Sequence, residues 1–314
     1  MSAPHRVSRL AHQALATTVD GARISWHRYI PKRVTHDAAP LLLIHGFACG
    51  SKDWGSLPQA LATISRREVL SFDNRGIGES PVPDGPYSVD LMASDALTVL
   101  DSANVPRAHV LGISLGGMIA QSLALEHPRR VRGLVLGATS HGGRQAHPVP
   151  EEFVTLCTRW AAEDLPNESP CVDEFLRWML PASAMAQPSG ARLLDQFKSS
   201  FLHTSRGSTG LLGQLAALGR FNSTKRLEAL ARHRTLAICG SLDAVIPPAN
   251  SESLQQRIPG AKLTQWENAG HFFWAHRPSE VAGLLARFLS ECDLHDDVDS
   301  DLDFFIDSAL HRGK

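Results

Sequence analysis

The chain has 314 residues, 43% hydrophobic and 20% charged, a composition suited to a globular fold that buries a large core. A formal charge of −1 gives no electrostatic basis for binding nucleic acid or a membrane surface. Apolar runs such as Leu41–Ile44 are far too short to span a bilayer, and Arg6 and Arg9 precede no apolar signal core. In chain order, Ala14–Val19 and Ile24–Ile30 flank Asp20-Gly21, which predicts an antiparallel hairpin. Leu41-Leu42-Leu43-Ile44 reads as a strand covered on both faces, followed by His45-Gly46-Phe47, a small-residue loop to Trp54 and a helix to about Ser65. Val69–Phe72 is the next buried strand, and Asp73-Asn74-Arg75-Gly76-Ile77-Gly78-Glu79-Ser80 the loop beyond it. Ser88–Asn104 reads as a helix, with Leu91, Ala96, Leu97 and Leu100 on one stripe. The strand Ala108–Leu111, the helix Leu115–His127 and the strand Val131–Gly137 continue the alternation.

The alternation then stops. Between His141 and about Arg234 only amphipathic helical segments occur, carrying Trp160, Phe175, Trp178, Phe197 and Phe201. It resumes with Thr235–Cys239, a helix near Asn250–Arg257, Leu263–Trp266 and a last helix Val281–Leu289. Strands alternating with helices of this length predict an α/β fold, a mostly parallel doubly wound sheet with an inserted helical cap. The expected organisation is a core from residues 1–140, a cap from 141–233, the rest of the core from 234–290 and an acidic tail from 291–314. That tail holds eight acids against Arg312 and Lys314, a net charge of −6. It reads as solvated, with Phe304-Phe305-Ile306 a protein-docking spot.

Gly112-Ile113-Ser114-Leu115-Gly116 is a G-x-S-x-G between a strand and a helix, the pattern of a nucleophile elbow. The turn cramps the backbone at the serine, so its neighbours two residues away must be small, and it aims the helix N-terminus at the attacked carbonyl. A serine hydroxyl needs a base within hydrogen-bond reach, and the base needs an orienting acid. In such a sheet those partners follow later strands, in the order Ser, acid, His. Gly240-Ser241-Leu242-Asp243 supplies Asp243 after one strand, and Asn268-Ala269-Gly270-His271 supplies His271 after the next. Two backbone amides should form an oxyanion hole, one from Leu115 and one from Phe47. His45 reads as a ring that braces this loop, beside Gly46, and Asp73 and Arg75 as residues that hold loops together.

On LLLIHGF, FDNRGIGES, HVLGISLGGMIAQ, CGSLDAVIPPAN and ENAGHFFWAHRPSEV, the chain resembles the serine-dependent α/β-hydrolase superfamily from about Leu41 to Leu289. Within it the chain is most similar to enol-lactonase and carboxylesterase-like enzymes. The resemblance implies Ser114 as nucleophile, Asp243 as acid and His271 as base, with the amides of Phe47 and Leu115 as oxyanion donors. It implies cleavage of a carboxylic ester or lactone of small to medium apolar character, with no cofactor and no metal. The same triad would serve a carbon–carbon bond hydrolase or a cofactor-free perhydrolase, and the fold could also serve a non-catalytic ligand-binding protein. Related epoxide hydrolases and dehalogenases carry an aspartate where Ser114 stands.

Other patterns carry less. Gly76-Ile77-Gly78 lacks the third glycine of a dinucleotide fingerprint. His141 and His147 have no partners at metal spacing and read as solvated loop residues. Asp297-Val298-Asp299-Ser300-Asp301 starts like a calcium loop, but Leu302 and Ser308 stand where glycine and glutamate are needed. The five cysteines are odd in number and without C-x-x-C spacing, which points to reduced thiols and a cytoplasmic location. The stretch before Asp20 is acid-free, as in organellar transit peptides, but the first strand is expected within it, from about His12.

Overall fold

The computed structural model describes residues 9–35, 38–81, 85–167 and 169–311, with side chains from His12 to Leu294 among them. Eight strands form one sheet in the order β1-β2-β4-β3-β5-β6-β7-β8. They are β1 (Arg9–Thr17), β2 (Arg23–Ile30), β3 (Leu41–Ile44), β4 (Val69–Phe72), β5 (Ala108–Ile113), β6 (Val131–Gly137), β7 (Arg234–Gly240) and β8 (Lys262–Trp266). The β1–β2 hairpin is antiparallel and so is the β2–β4 pair, whereas every pairing from β4 to β8 is parallel. All four residues of β3 and of β4, and all six of β5, are buried, as expected of central strands.

Helices α1 (Leu57–Ser65), α2 (Val89–Ser102), α3 (Leu115–Glu126), α9 (Ala249–Arg257) and α10 (Pro278–His311) flank the sheet. The α1 and α10 pair pack on each other, as do α2 and α3. Ser88 caps α2 by accepting a hydrogen bond from Leu91 N–H at 3.1 Å. Between β6 and β7 run α4 (Glu151–Ala162), α5 (Pro170–Met179), α6 (Ala182–Met185), α7 (Pro188–Leu202) and α8 (Ser208–Arg220). A 3-10 segment at Thr224–Arg232 leads back to the sheet, so the insertion carries no strand among its described residues. Phe153, Trp160, Phe175 and Phe201 bury their rings against one another inside it.

The sheet order reverses around β3, whose neighbours are β4 on one side and β5 on the other. That reversal opens a crevice at the carboxyl ends of β3 and β5, where ligands of open α/β sheets bind. The loop after β3 and the turn after β5 both end there.

The last helix differs from the sequence expectation. It does not stop at Leu289 but continues to His311, and the expected 290/291 boundary falls inside it. Side chains just past the expected boundary hold it to the core. Cys292 is buried, and Asp293 reaches Arg67 at 3.1 Å, His109 at 2.9 Å and Arg132 at 3.2 Å. Glu291 pairs with Lys262 at 2.7 Å at the surface, so Glu291 to Asp293 are anchored to the fold and only Glu291 among them keeps a half-exposed side chain. The Phe304-Phe305-Ile306 spot and the calcium-like run lie outside the described side chains.

Candidate active site

Ser114 takes the whole turn between β5 and α3, with φ 56° and ψ −120°. A non-glycine residue held there stores on the order of 1–3 kcal/mol, so its surroundings must over-determine it. They do: Ser114 N–H donates to Gly137 O at 2.9 Å, and its carbonyl accepts from Thr139 Oγ1 at 2.6 Å. A Cβ on Gly112 would lie 2.0 Å from Gly116 O, and one on Gly116 would lie 2.0 Å from Ile44 O. Gly46 faces the serine so closely that a Cβ there would meet Ser114 Cβ at 3.0 Å. The three small residues therefore let β3, β5 and α3 converge on one side chain.

Asp243 and His271 are both buried and meet at 2.8 Å between Oδ2 and Nδ1. The other carboxylate oxygen accepts Val245 N–H and Ile246 N–H, each at 2.9 Å, which fixes the acid in place. Ser114 and His271 line one narrow slot, together with Phe47. Leu115 opens α3, and first-turn amides of a helix have no partner within it.

His45 is buried against the rings of Trp54 at 4.2 Å and Trp274 at 5.7 Å. Its Nδ1 accepts Gly46 N–H at 2.8 Å, and its carbonyl accepts Asn74 Nδ2 at 2.9 Å. Burial pushes the imidazole down to about 3, so the ring stays neutral. Asp73 accepts Ser51 N–H at 2.6 Å and Glu79 N–H at 2.9 Å, and Arg75 grips Asp95 through two bonds of 2.6 Å. Both residues tie loops together.

Ala48, Gln214, Arg206 and Asp53 shape the loop after β3 without forming any sequence motif. Ala48, one step past Phe47, has φ 59°, and side chains of the insertion hold both polar atoms of its main chain. Its N–H donates to Gln214 Oε1 at 3.0 Å, and its carbonyl accepts from Arg206 Nε. Arg206 also pairs with Asp53 at 2.8 Å, both side chains being 0% exposed. One signal was available, because Gln214 interrupts an apolar helical stripe formed by Leu211, Leu215 and Leu218. His141 corrects an expectation: it is buried and bonds Ser253 Oγ at 3.1 Å, and burial lowers its pKa. His147 is exposed at the edge of the large cavity described next.

Two spaces meet at Ser114. An apolar cavity of about 510 Å³ extends from Ser114 past Met118, Val149, Leu215, Leu218 and Ile246. The slot on the other side measures about 20 Å³ and holds His271, Phe175, Met179 and Phe272. Among the described residues no group of three or more His, Cys, Asp or Glu could hold a metal ion, and no helix is long and apolar enough to cross a membrane.

Residues 39–276 match the family model described as the alpha/beta hydrolase fold. The chain is 30% identical over 262 residues to a putative carbamate hydrolase, RutD, of Azorhizobium caulinodans, covering 81% of this chain and 92% of that protein. It is 28% identical over 272 residues to the 2-hydroxymuconate semialdehyde hydrolase of Pseudomonas sp. strain CF600, covering 82% and 90%. It is 30% identical over 260 residues to the rhodomycin D methylesterase DnrP of Streptomyces peucetius, covering 74% and 85%.

Proposed function

This chain belongs to the alpha/beta hydrolase fold family, and from that premise we propose that it cleaves a carboxylic ester or lactone through an acyl-enzyme on Ser114. The observation that carries the proposal is the 2.8 Å contact of Asp243 with His271, whose ring shares one slot with Ser114. His271 Nε2 takes the Ser114 proton as Oγ attacks the carbonyl carbon, and Asp243 stabilises the imidazolium that forms. The amides of Phe47 and Leu115 receive the oxyanion, each such donor contributing about 3 kcal/mol in comparable sites. Collapse breaks the carbon–oxygen bond while His271 returns the proton to the departing alcohol. Water then attacks the acyl carbon with His271 again as base, and Ser114 is regenerated.

The rhodomycin D methylesterase supports an ester as the scissile group. A carbon–carbon bond hydrolase is the alternative, favoured by the likeness to the 2-hydroxymuconate semialdehyde hydrolase. The likeness to RutD adds carbamates to the panel worth assaying. The scattered, odd-numbered cysteines favour a cytoplasmic location.

The test is intact-protein mass spectrometry after treatment with an ethyl fluorophosphonate, beside a Ser114→Ala variant. One adduct on the wild type and none on the variant is the expected result. No adduct on folded wild-type protein refutes the nucleophile assignment and leaves a ligand-binding protein of this fold. Turnover of a ring-fission dienone without any ester turnover moves the assignment to carbon–carbon cleavage.

A further inference from the structure

Ser114 stands on a partition between unequal spaces, with Phe47, Phe153 and Val245 shared by both. The slot contains His271, and the large cavity does not. Resting on the acyl-enzyme reading above, we infer that the substrate is an ester of a bulky apolar carboxylic acid with an alcohol of one or two carbons.

The three groups on the tetrahedral carbon point in directions set by the protein. The oxyanion faces the amides of Phe47 and Leu115. The leaving oxygen must face His271, because His271 protonates it. The acyl chain takes the remaining direction, away from His271. Hence the alcohol enters the slot, and the acyl chain enters the large cavity.

The sizes then decide. A space of about 10–15 Å³ on this measure holds one water, and the slot offers about 20 Å³. Phe175, Met179 and Phe272 wall it, each 2% exposed. A methoxy group fits there; a butoxy group does not. The opposite cavity, at about 510 Å³, lies within the roughly 300–1,000 Å³ that accommodate drug-sized ligands. Met118, Leu215, Leu218 and Ile246 in its walls reward apolar carbon, while Ser140, Arg144 and His147 also line it.

Both half-reactions use the slot in turn. Ser114 Oγ bonds the acyl carbon, the bond to the alkoxy oxygen breaks, and the serine proton reaches the departing alcohol through His271. Water of similar size replaces the alcohol beside His271, gives up its proton, bonds the acyl carbon and expels Oγ. A lactone keeps its alkoxide tethered to the acyl chain, so its ring must cross the partition and occupy both spaces at once. Open-chain esters of short alcohols escape that constraint.

Methyl octanoate and heptyl acetate are isomers of equal size and nearly equal hydrophobicity, which isolates the direction of binding. Initial rates in a pH-stat with the full-length protein should favour methyl octanoate by at least about 100-fold in kcat/KM. Each carbon forced into a full pocket costs about tenfold or more, and each methylene buried in the large cavity gains about fourfold. Equal rates, or a preference for heptyl acetate, overturn the inference. So does a failure to cleave either ester by protein whose Ser114 still reacts with the fluorophosphonate. Failure of that labelling overturns the serine hydrolase reading itself. Two variants test the partition directly. Met179→Ala should raise butyl octanoate relative to methyl octanoate, and Leu215→Trp should lower methyl octanoate relative to methyl acetate. Unchanged ratios in both variants overturn the assignment of the two spaces.

Discussion

Gln214 offers a test of how the insertion reaches the chemistry. Its Oε1 accepts Ala48 N–H at 3.0 Å and its Nε2 donates to Arg75 O at 3.3 Å, with Gln214 itself 0% exposed. Gln214→Leu keeps the volume and removes the acceptor. The buried Ala48 N–H then goes unpaired, at about 1–3 kcal/mol, which for a chain of this size lowers Tm by a few degrees. The catalytic effect follows from position. Ala48 holds φ 59°, an unfavourable backbone that relaxes once its N–H is released, and the adjacent Phe47 amide moves with it. Complete loss of one oxyanion donor costs about 100- to 1,000-fold in kcat, so a displaced donor should cost roughly 10- to 100-fold. KM should change little, since the amide acts on charge that develops after binding. Steady-state kinetics on methyl octanoate, with thermal melting in parallel, separates the two effects. A variant that loses the expected degrees of Tm but keeps kcat within about twofold of wild type refutes the idea that the insertion braces the oxyanion loop. Arg206→Met is the cruder version, because it strands Asp53 as an uncompensated buried acid, at about 3–5 kcal/mol, and confounds folding with catalysis.

Three further outcomes are expected. Gly112→Ala and Gly116→Ala drive a methyl group to 2.0 Å from backbone oxygen and should give little folded protein, whereas Gly219→Ala, with nothing within 4 Å, should raise stability by about 0.5–1 kcal/mol; expression yield and thermal melts decide. His45 binds its proton only near pH 3 in the fold but near 6.5 when unfolded, so its contribution is intact above pH 6.5 and lost on acidification towards 3, at up to about 1.4 kcal/mol per pH unit. Urea titrations at pH 7.5 and 5 should therefore show a smaller acid loss for His45→Asn than for wild type, and equal losses would contradict a neutral buried imidazole. Asp293→Ala leaves Arg67, 1% exposed, without its carboxylate and should destabilise by about 3–5 kcal/mol in chemical denaturation, as should truncation from residue 291; a melt unchanged by both would show that the ion cluster contributes nothing to stability.

What was legible in the sequence follows the range of the interaction that creates it. The strand β3 announces itself as a run of four apolar residues, and β4 as Val69, Leu70 and Phe72 around Ser71, because burial on both faces is a property of each residue separately. The elbow is half legible from local contacts: Gly112 is dictated by Gly116 four positions on, whereas Gly116 is dictated by the distant Ile44 and His45. Asp243 and His271, which meet at 2.8 Å, stand on the loops after β7 and β8 that the alternation of elements already implies. The brace on Ala48 was not legible, since Gln214 lies 166 positions away and only a helix packed over the crevice brings it there. The length of α10 was missed for a similar reason: its acids read as a solvated run, and only the fold supplies Arg67, His109 and Arg132 to meet Asp293.

The same distinction separates chemistry from specificity. Ser114, Asp243 and His271 each follow a core strand, β5, β7 and β8 in turn, so the alternation of elements fixes where they stand. The slot, in contrast, is closed by Phe175 and Met179 from α5 and Phe272 beside the base, residues with no spacing in common. Their effect depends on the angle at which the insertion packs over Ser114, a quantity set by many buried rings together. Relatives about 30% identical can therefore carry the names carbamate hydrolase, semialdehyde hydrolase and methylesterase over one arrangement of strands. If the methyl octanoate preference holds and Met179→Ala relaxes it, the alcohol limit belongs to a single side chain of the insertion, while Ser114, Asp243 and His271 beneath it stay the same.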